Sequence, residues 1–225
     1  MIYYLFWWIC IITGFLFQLI LFKRKTYYED KRVQSLRVKG GALIISNHYH
    51  FYDFMVNMFA LVPRRLHVIA SEMAFSNKMI RFGMRFFGGI EANRITGSMR
   101  FMDTAAEAIK EGKLVQIFPE GRITTDGKLQ PFKHSYLVIA HRAKAPIIPI
   151  VTDGQYGFFK QTHIMVGKPI FVSDYVQSDR RTPTREELAT VNAVVEEKVR
   201  ELLAELDARK AMKKTRKKRK GDTRK

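Results

Sequence analysis

Cysteine occurs once in the 225 residues, at Cys10. One thiol excludes an intrachain disulfide framework and a cysteine-based zinc site, and fits a reducing compartment. Acid is scarce as well: 21 Asp and Glu stand against 39 Lys and Arg, a formal net charge of +18. No charge of either sign falls in residues 1 to 22. No positively charged region precedes that apolar stretch and no small-residue cleavage site follows it, which disfavours a removable signal peptide. Internal repeats are absent. Gly121-x5-Gly127-Lys128 resembles a nucleotide loop at first sight, but a P-loop needs four intervening residues and Ser or Thr after the lysine, and Leu129 follows here.

What is present divides the chain into three parts. Residues 1 to 25 read as an N-terminal membrane anchor, because Met1 to Phe22 as a helix would extend roughly 30 Å, the thickness of a hydrocarbon core. Gly14 and Gln18 leave open whether it spans the bilayer or lies in one leaflet. Lys23-Arg24-Lys25 sits where a cytoplasmic anchor belongs, so the domain is expected at the cell membrane on its cytoplasmic side. With 47% hydrophobic residues in the whole chain, residues 26 to 208 can form one sizeable core and leave no room for two catalytic domains. Residues 209 to 225 carry eleven Lys or Arg against one Asp. Such a tail has no apolar partner and is expected to be disordered. An anionic leaflet is its expected partner, with non-specific nucleic acid or plain solvation as the rivals.

Between the appendages, short apolar runs alternate with helix-like stretches. Ala42 to Ser46, Leu66 to Ala70, Leu114 to Phe118 and Ile147 to Thr152 read as strands; Asp53 to Leu61, Asn77 to Phe87, Met99 to Glu111 and Phe132 to Lys144 read as helices. His163 to Val166, followed by Lys168-Pro169, reads as an edge strand. Thr182-Pro183 and Thr184-x-x-Glu187 start a last helix that runs to about Asp207. The expectation is a single α/β domain, a mixed and mostly parallel sheet flanked by helices, plus the N-terminal membrane helix.

Two polar clusters close strand-like runs: Asn47-His48-Tyr49-His50-Phe51-Tyr52-Asp53 and Phe118-Pro119-Glu120-Gly121-Arg122. The His-x4-Asp spacing alone is weak, arising by chance in about one of four chains with this composition. A strand ending in Pro-Glu-Gly adds a turn whose glycine takes positive φ and whose amides can face a ligand. In this order the pair resembles the glycerolipid acyltransferase family, the PlsC-like lysophosphatidic acid acyltransferases and their relatives. Four blocks match: Asn47-His48-x4-Asp53, Gly88-Gly89-Ile90-x3-Arg94, Phe118-Pro119-Glu120-Gly121, and Ala145-Pro146-Ile147-Ile148-Pro149-Ile150. They cover about residues 36 to 155. The third block departs from the usual Glu-Gly-Thr-Arg, since Arg122 follows Gly121 directly; that variant is similar to enzymes that reacylate lysophosphatidylethanolamine.

Moving an acyl group from a thioester to an alcohol needs a base for the hydroxyl proton. His48, with an ordinary pKa of about 6.5, is the candidate, and Asp53 would fix its tautomer and stabilise the imidazolium. Five residues apart on one straight helix the two would diverge by about 140°, so a loop must carry His48 into a helix beginning near Asp53. The plainer readings are Asp53 as an N-cap and His48 as the partner of a strand-end carbonyl. Asn47 is expected to secure the turn. By resemblance, Arg94 after the Gly88-Gly89 turn binds phosphate, Glu120 orders the glycerol or phosphate side, and Gly121 and Arg122 line the acceptor. His48-x-His50 lacks a third metal ligand at sensible spacing, so no metal is expected, and the family implies no cofactor. No Gly-x-Ser-x-Gly elbow occurs, which favours direct attack by the acceptor over an acyl-enzyme. The expected reaction is transfer from acyl-CoA or acyl-carrier protein to a lysophospholipid, foremost 1-acylglycerol 3-phosphate giving phosphatidic acid. Lysophosphatidylethanolamine is the alternative acceptor, and a non-catalytic protein binding anionic lipid or nucleic acid the alternative of another class.

Overall fold

The computed structural model describes residues 8–9, 12–14, 18–20, 22–30, 39–93, 99–124, 126–176, 180 and 182–222. Its elements in chain order are β1 (Lys25–Tyr28), β2 (Ala42–Ser46), α1 (Asp53–Ala60), β3 (Leu66–Ser71), α2 (Lys78–Phe86), β4 (Ile90–Ala92), α3 (Arg100–Lys110), β5 (Leu114–Ile117), α4 (Ser135–Ala143), β6 (Ile147–Thr152), β7 (His163–Val166) and α5 (Arg185–Asp222). The strands form one sheet in the order β1-β7-β6-β2-β5-β3-β4. Only the β6–β7 pair is antiparallel; the others are parallel. Parallel strands covered on both faces need apolar residues at every position, and β2, β5 and β6 are buried along their whole length.

Alternate side chains feed two layers. Leu43, Ile45, Val115, Ile117 and Ile147 face α3, α4 and α5, against Met102, Tyr136, Leu188 and Leu202. Ala42, Ile44, Leu66, Leu114 and Ile150 face α1, against Val56, Phe59 and Leu61. At about 25 cal/mol per Å² of apolar area, this double burial is the main force holding the sheet.

Three expectations change. β7 is not an edge strand: it lies between β6 and β1, and Lys168-Pro169 comes after its last paired residue, Val166, so the proline never meets the ladder. The outer place belongs to β1, Lys-Thr-Tyr-Tyr, which carries no apolar run to flag it. The N-terminal membrane helix is not found: among the described residues no helix is long and apolar enough to cross a membrane. Of residues 1 to 22, the pieces 8–9, 12–14 and 18–20 are helical and the rest, Phe22 apart, lies outside the described residues. The described pieces pack on the domain. A Cβ on Gly14 would stand 3.0 Å from the Phe59 ring, Gln18 is buried, and Phe22 belongs to the α1-side layer. Finally, α5 does not stop near Asp207 but continues to Asp222, through most of the basic stretch expected to be disordered. Its start is the reciprocal capping box, Thr184 N–H to Glu187 at 2.7 Å and Glu187 N–H to Thr184 Oγ1 at 3.2 Å. Beyond Asp207 the helix is tied by Arg209–Glu205 at 2.6 Å and by Lys210–Asp153 at 2.9 Å, a contact to the far end of β6.

Candidate active site

β5, β2 and β6 are neighbours in that order, so the loops leaving their carboxyl ends converge. β2 delivers Asn47 and His48, β5 delivers Phe118 to Gly121, and β6 delivers Thr152 to Tyr156. Asn47 is fully buried and clamps β2 to β6 through both amide atoms: Nδ2 donates to the Thr152 carbonyl and Oδ1 accepts the Thr152 N–H, each at 2.9 Å. That side chain closes the strand gap where the main-chain ladder ends.

The next residue turns outward. His48 Nδ1 lies 3.0 Å from Asp53 Oδ2, and its ring stacks on Phe118 at 3.8 Å between centroids. The chain reverses between them, and α1 begins at Asp53 itself, so the angular problem of a straight helix does not arise. Asp53 makes no side-chain cap of α1. Its fully buried carboxylate instead accepts the His50 N–H at 2.7 Å, the His48 ring, and the Tyr156 hydroxyl, which donates to Oδ1. Burial, then the neighbouring Asp53 charge, pushes the Tyr156 phenol well above its ordinary range, so it remains a protonated donor. Thr152 Oγ1 meets the same hydroxyl at 3.3 Å. The His48 side chain keeps 17% of its surface exposed. His50 stacks on Tyr52 at 4.8 Å rather than facing His48.

Glu120 is 3% exposed, and both carboxylate oxygens are engaged within the protein. Oε1 accepts the His48 N–H at 2.9 Å; Oε2 accepts the Thr124 hydroxyl at 2.9 Å and the Gln130 N–H at 2.8 Å. Glu120 thus ties the His48 turn to the loop after β5, a tie reinforced by Thr124 N–H donating to the His48 carbonyl at 2.7 Å. Gly121 adopts φ +69, a left-handed conformation that lets its N–H return to the Phe118 carbonyl at 3.0 Å. Arg122 is exposed and donates to Gln130 Oε1 at 2.6 Å. Gly89 permits a close approach on the other side: a Cβ there would sit 2.9 Å from the Met84 carbonyl and 3.2 Å from the Phe75 ring. Arg94 lies outside the described residues.

His48, Asp53, Asn47, Glu120 and Gly121 are therefore brought together, and Arg122 lies on the rim. Tyr156, Thr152, Thr124 and Gln130 also belong to the network, though no spacing in the sequence marks them. A histidine held by a buried carboxylate at the carboxyl ends of parallel strands is the arrangement with which an α/β enzyme activates a hydroxyl.

Residues 25–153, more than half of the chain, match the family described as Acyltransferase, and the chain belongs to it. It is similar to 1-acyl-sn-glycerol-3-phosphate acyltransferase of Bacillus subtilis, 25% identical over 179 residues that cover 77% of this chain and 87% of that one. The beta form of the human enzyme of that name is 30% identical over 135 residues, covering 58% of this chain and 47% of its own length. Thus the chain spans most of its bacterial relative and about half of the human one. The crystal structure of the 1-acyl-sn-glycerophosphate acyltransferase PlsC from Thermotoga maritima shares the fold, with a TM-score of 0.59 at 21% identity, over 81% of this chain and 73% of that one.

Proposed function

We propose that this acyltransferase esterifies the free hydroxyl of 1-acylglycerol 3-phosphate, forming phosphatidic acid, with an acyl-CoA or acyl-carrier-protein thioester as donor. The observation that carries the reading is the His48 Nδ1 to Asp53 Oδ2 contact at 3.0 Å in a ring held flat on Phe118. With Nδ1 committed to Asp53, Nε2 is the nitrogen that takes the acceptor's proton. The acceptor oxygen attacks the thioester carbonyl carbon as His48 removes that proton, and the C–O bond forms. Collapse of the tetrahedral intermediate breaks the C–S bond, and the imidazolium returns the proton to the departing thiolate. The products are an ester and a free thiol, so no cofactor is consumed.

Arg94 and Arg122 are the cations assigned to the acceptor phosphate, since a guanidinium matches phosphate geometry bidentately. The names of the relatives, each an acyltransferase acting on 1-acyl-sn-glycerol 3-phosphate, support that acceptor over lysophosphatidylethanolamine. Lipid substrates, the apolar N-terminal segment and the basic end of α5 support association with the cytoplasmic leaflet. The test offers the purified chain both lysolipids, with acyl-CoA and with acyl-carrier protein, and measures product lipid and released thiol. His48→Ala is expected to lower turnover by about 10²- to 10⁴-fold, the usual contribution of a general base. Undiminished turnover in that variant removes the mechanism, and preference for the ethanolamine lipid removes the acceptor assignment.

A further inference from the structure

α2 is a helix with no buried residue. Its end is fastened to the α1-side layer, where Phe86 and Phe87 pack, but most of its apolar side chains point away from the protein. Met79 is 81% exposed and Phe82 71% exposed, with Ile80 and, just before the helix, Met73 also exposed. Lys78, Arg81 and Arg85 follow at i, i+3 and i+7, a single basic stripe beside the apolar arc, and the helix contains no acid. Isolated exposed apolar residues are ordinary, but a helix that turns three of them outward beside a row of cations has the pattern of an interfacial helix. At its carboxyl end a cavity of about 310 Å³ opens between Arg65, Phe82, Arg85 and Phe86. One nitrogen of Arg65 donates to the Phe86 carbonyl at this cavity, and the Arg85 guanidinium beside two aromatic rings suits a group with a phosphate at one end and hydrocarbon at the other.

The N-terminal segment lies on the same side of the sheet. Phe22 sits in the layer that holds Phe86 and Phe87, and Gly14 packs on Phe59 of that layer. Its described residues Trp8, Ile9, Ile12, Leu19 and Ile20 are exposed as well. The opposite side carries α3, α4 and α5, and there Glu107 and Lys110 of α3 and Glu197, Arg200 and Glu201 of α5 are exposed. α2 and the N-terminal segment thus place exposed apolar residues and the α2 cations together on one side of the sheet.

We infer that α2 is a second membrane-docking element, lying in the headgroup region of an anionic bilayer with Met79 and Phe82 inserted and the Arg65–Arg85 cleft on a lipid phosphate. The occupant is the lipid surface rather than a protein because apolar insertion and cationic charge occur together on one short helix, and because the patch continues the exposed apolar segment beside it. This rests on the lipid-acceptor reading only for its purpose; vesicle binding is measured without turnover, so either can fail alone.

The test uses the full chain with Cys10→Ser and a polarity-sensitive dye on Phe82→Cys, and as a control the same dye on Glu107→Cys of α3. With vesicles of phosphatidylcholine and phosphatidylglycerol, the dye at position 82 is expected to report an apolar environment and the dye at position 107 water. Lys78→Glu/Arg85→Glu is expected to weaken partition onto those vesicles by at least about tenfold, each lost basic contact being worth about fivefold, and to leave partition onto phosphatidylcholine alone within twofold. Water-like emission from position 82 on bound vesicles overturns the proposal. So does an apolar signal without vesicles accompanied by dimers in sedimentation, which would make α2 a contact between copies of the chain. Unchanged partition of the double variant onto anionic vesicles overturns the role of the basic stripe.

Discussion

Glu120 accepts the backbone N–H of His48 at 2.9 Å, joining the two polar motifs through a main-chain donor 72 residues away. The bond fixes where the His48 side chain leaves the backbone. Asp53 then fixes how its ring is turned, and Phe118 fixes the plane in which the ring lies. Two of these constraints come from the loop after β5 and one from the start of α1, so the imidazole is positioned before any substrate arrives, which is the condition for efficient proton transfer.

Removing the acid from Glu120 tests that scaffold. In Glu120→Gln one oxygen becomes an amide NH2, which faces N–H donors from His48 or Gln130 and cannot accept from them. An unmet buried donor costs about 1–3 kcal/mol. The melting temperature is expected to fall by several degrees, at about 2–4 °C per kcal/mol for a domain of this size, and kcat by about tenfold or more as the His48 turn loosens. Calorimetry and steady-state kinetics on the same preparation check both. A change in KM for the phosphate-bearing acceptor alone, with stability and kcat intact, would show that Glu120 orders the acceptor side of the site rather than the His48 turn.

Asp53 and Tyr156 form a graded pair. Asp53→Asn deprives His48 of its charged partner and can present the wrong tautomer, so kcat is expected to fall by about 10³- to 10⁴-fold. Tyr156→Phe removes only one of the donors to Asp53 and is expected to cost about tenfold. It also leaves the carboxylate less neutralised, which holds the imidazolium proton more tightly and moves the acid limb of the rate profile to higher pH. A pH–rate profile of the two proteins decides it. If Tyr156→Phe lowers stability while the limb stays fixed, Tyr156 is packing and nothing more.

The sequence shows the site's chemistry better than its support. β2, β5 and β6 are short, mostly apolar runs, so their carboxyl ends are found from pattern, and the resemblance of the four blocks then singles out His48 and Glu120 there. Asn77 is likewise legible as the start of α2, and its Oδ1 accepts Met79 N–H at 2.9 Å. β1 and β4 are four and three residues long and only partly buried, too short for a period to emerge. Tyr156 escapes notice for another reason: it meets Asp53 from 103 positions away, a contact that exists only because β6 lies beside β2. The long α5 was hidden by charge composition, since a basic run reads as solvated until Glu205, Asp207 and Asp153 are seen to neutralise its first turns.

Arg122 sits on the rim, exposed, with Gln130 as its described partner. If it contacts the acceptor phosphate, Arg122→Ala should raise KM for 1-acylglycerol 3-phosphate about tenfold, the loss of one charge-assisted hydrogen bond worth roughly 1.5 kcal/mol. Its exposure predicts a stability change within about 0.5 kcal/mol. Monoacylglycerol, which lacks the phosphate, serves as the control acceptor. Equal losses on both acceptors would show that Arg122 acts through Gln130 on the Glu120 loop instead.

Two phenols held as hydrogen-bond donors, Tyr136 and Tyr156, predict the alkaline limit of stability. Burial raises the pKa of Tyr136, with the nearby Glu196 adding to it, and burial with Asp53 raises that of Tyr156, both from an ordinary value of 10.0. A raised folded pKa means that the native state keeps its proton where the unfolded chain loses it. The associated stability is complete below about pH 10 and declines as pH climbs from there toward the folded values, by up to about 1.4 kcal/mol per pH unit for each tyrosine. Tyr136→Phe should therefore be the less stable protein near neutrality, where it lacks the 3.0 Å hydrogen bond from the hydroxyl to Asn192, at a cost of about 1 kcal/mol. Above about pH 10 its stability should fall less steeply, so that the two curves approach each other. Urea unfolding of both proteins across that range measures the slopes, and parallel curves would show that the Tyr136 phenol ionises in the native state as readily as in the unfolded chain.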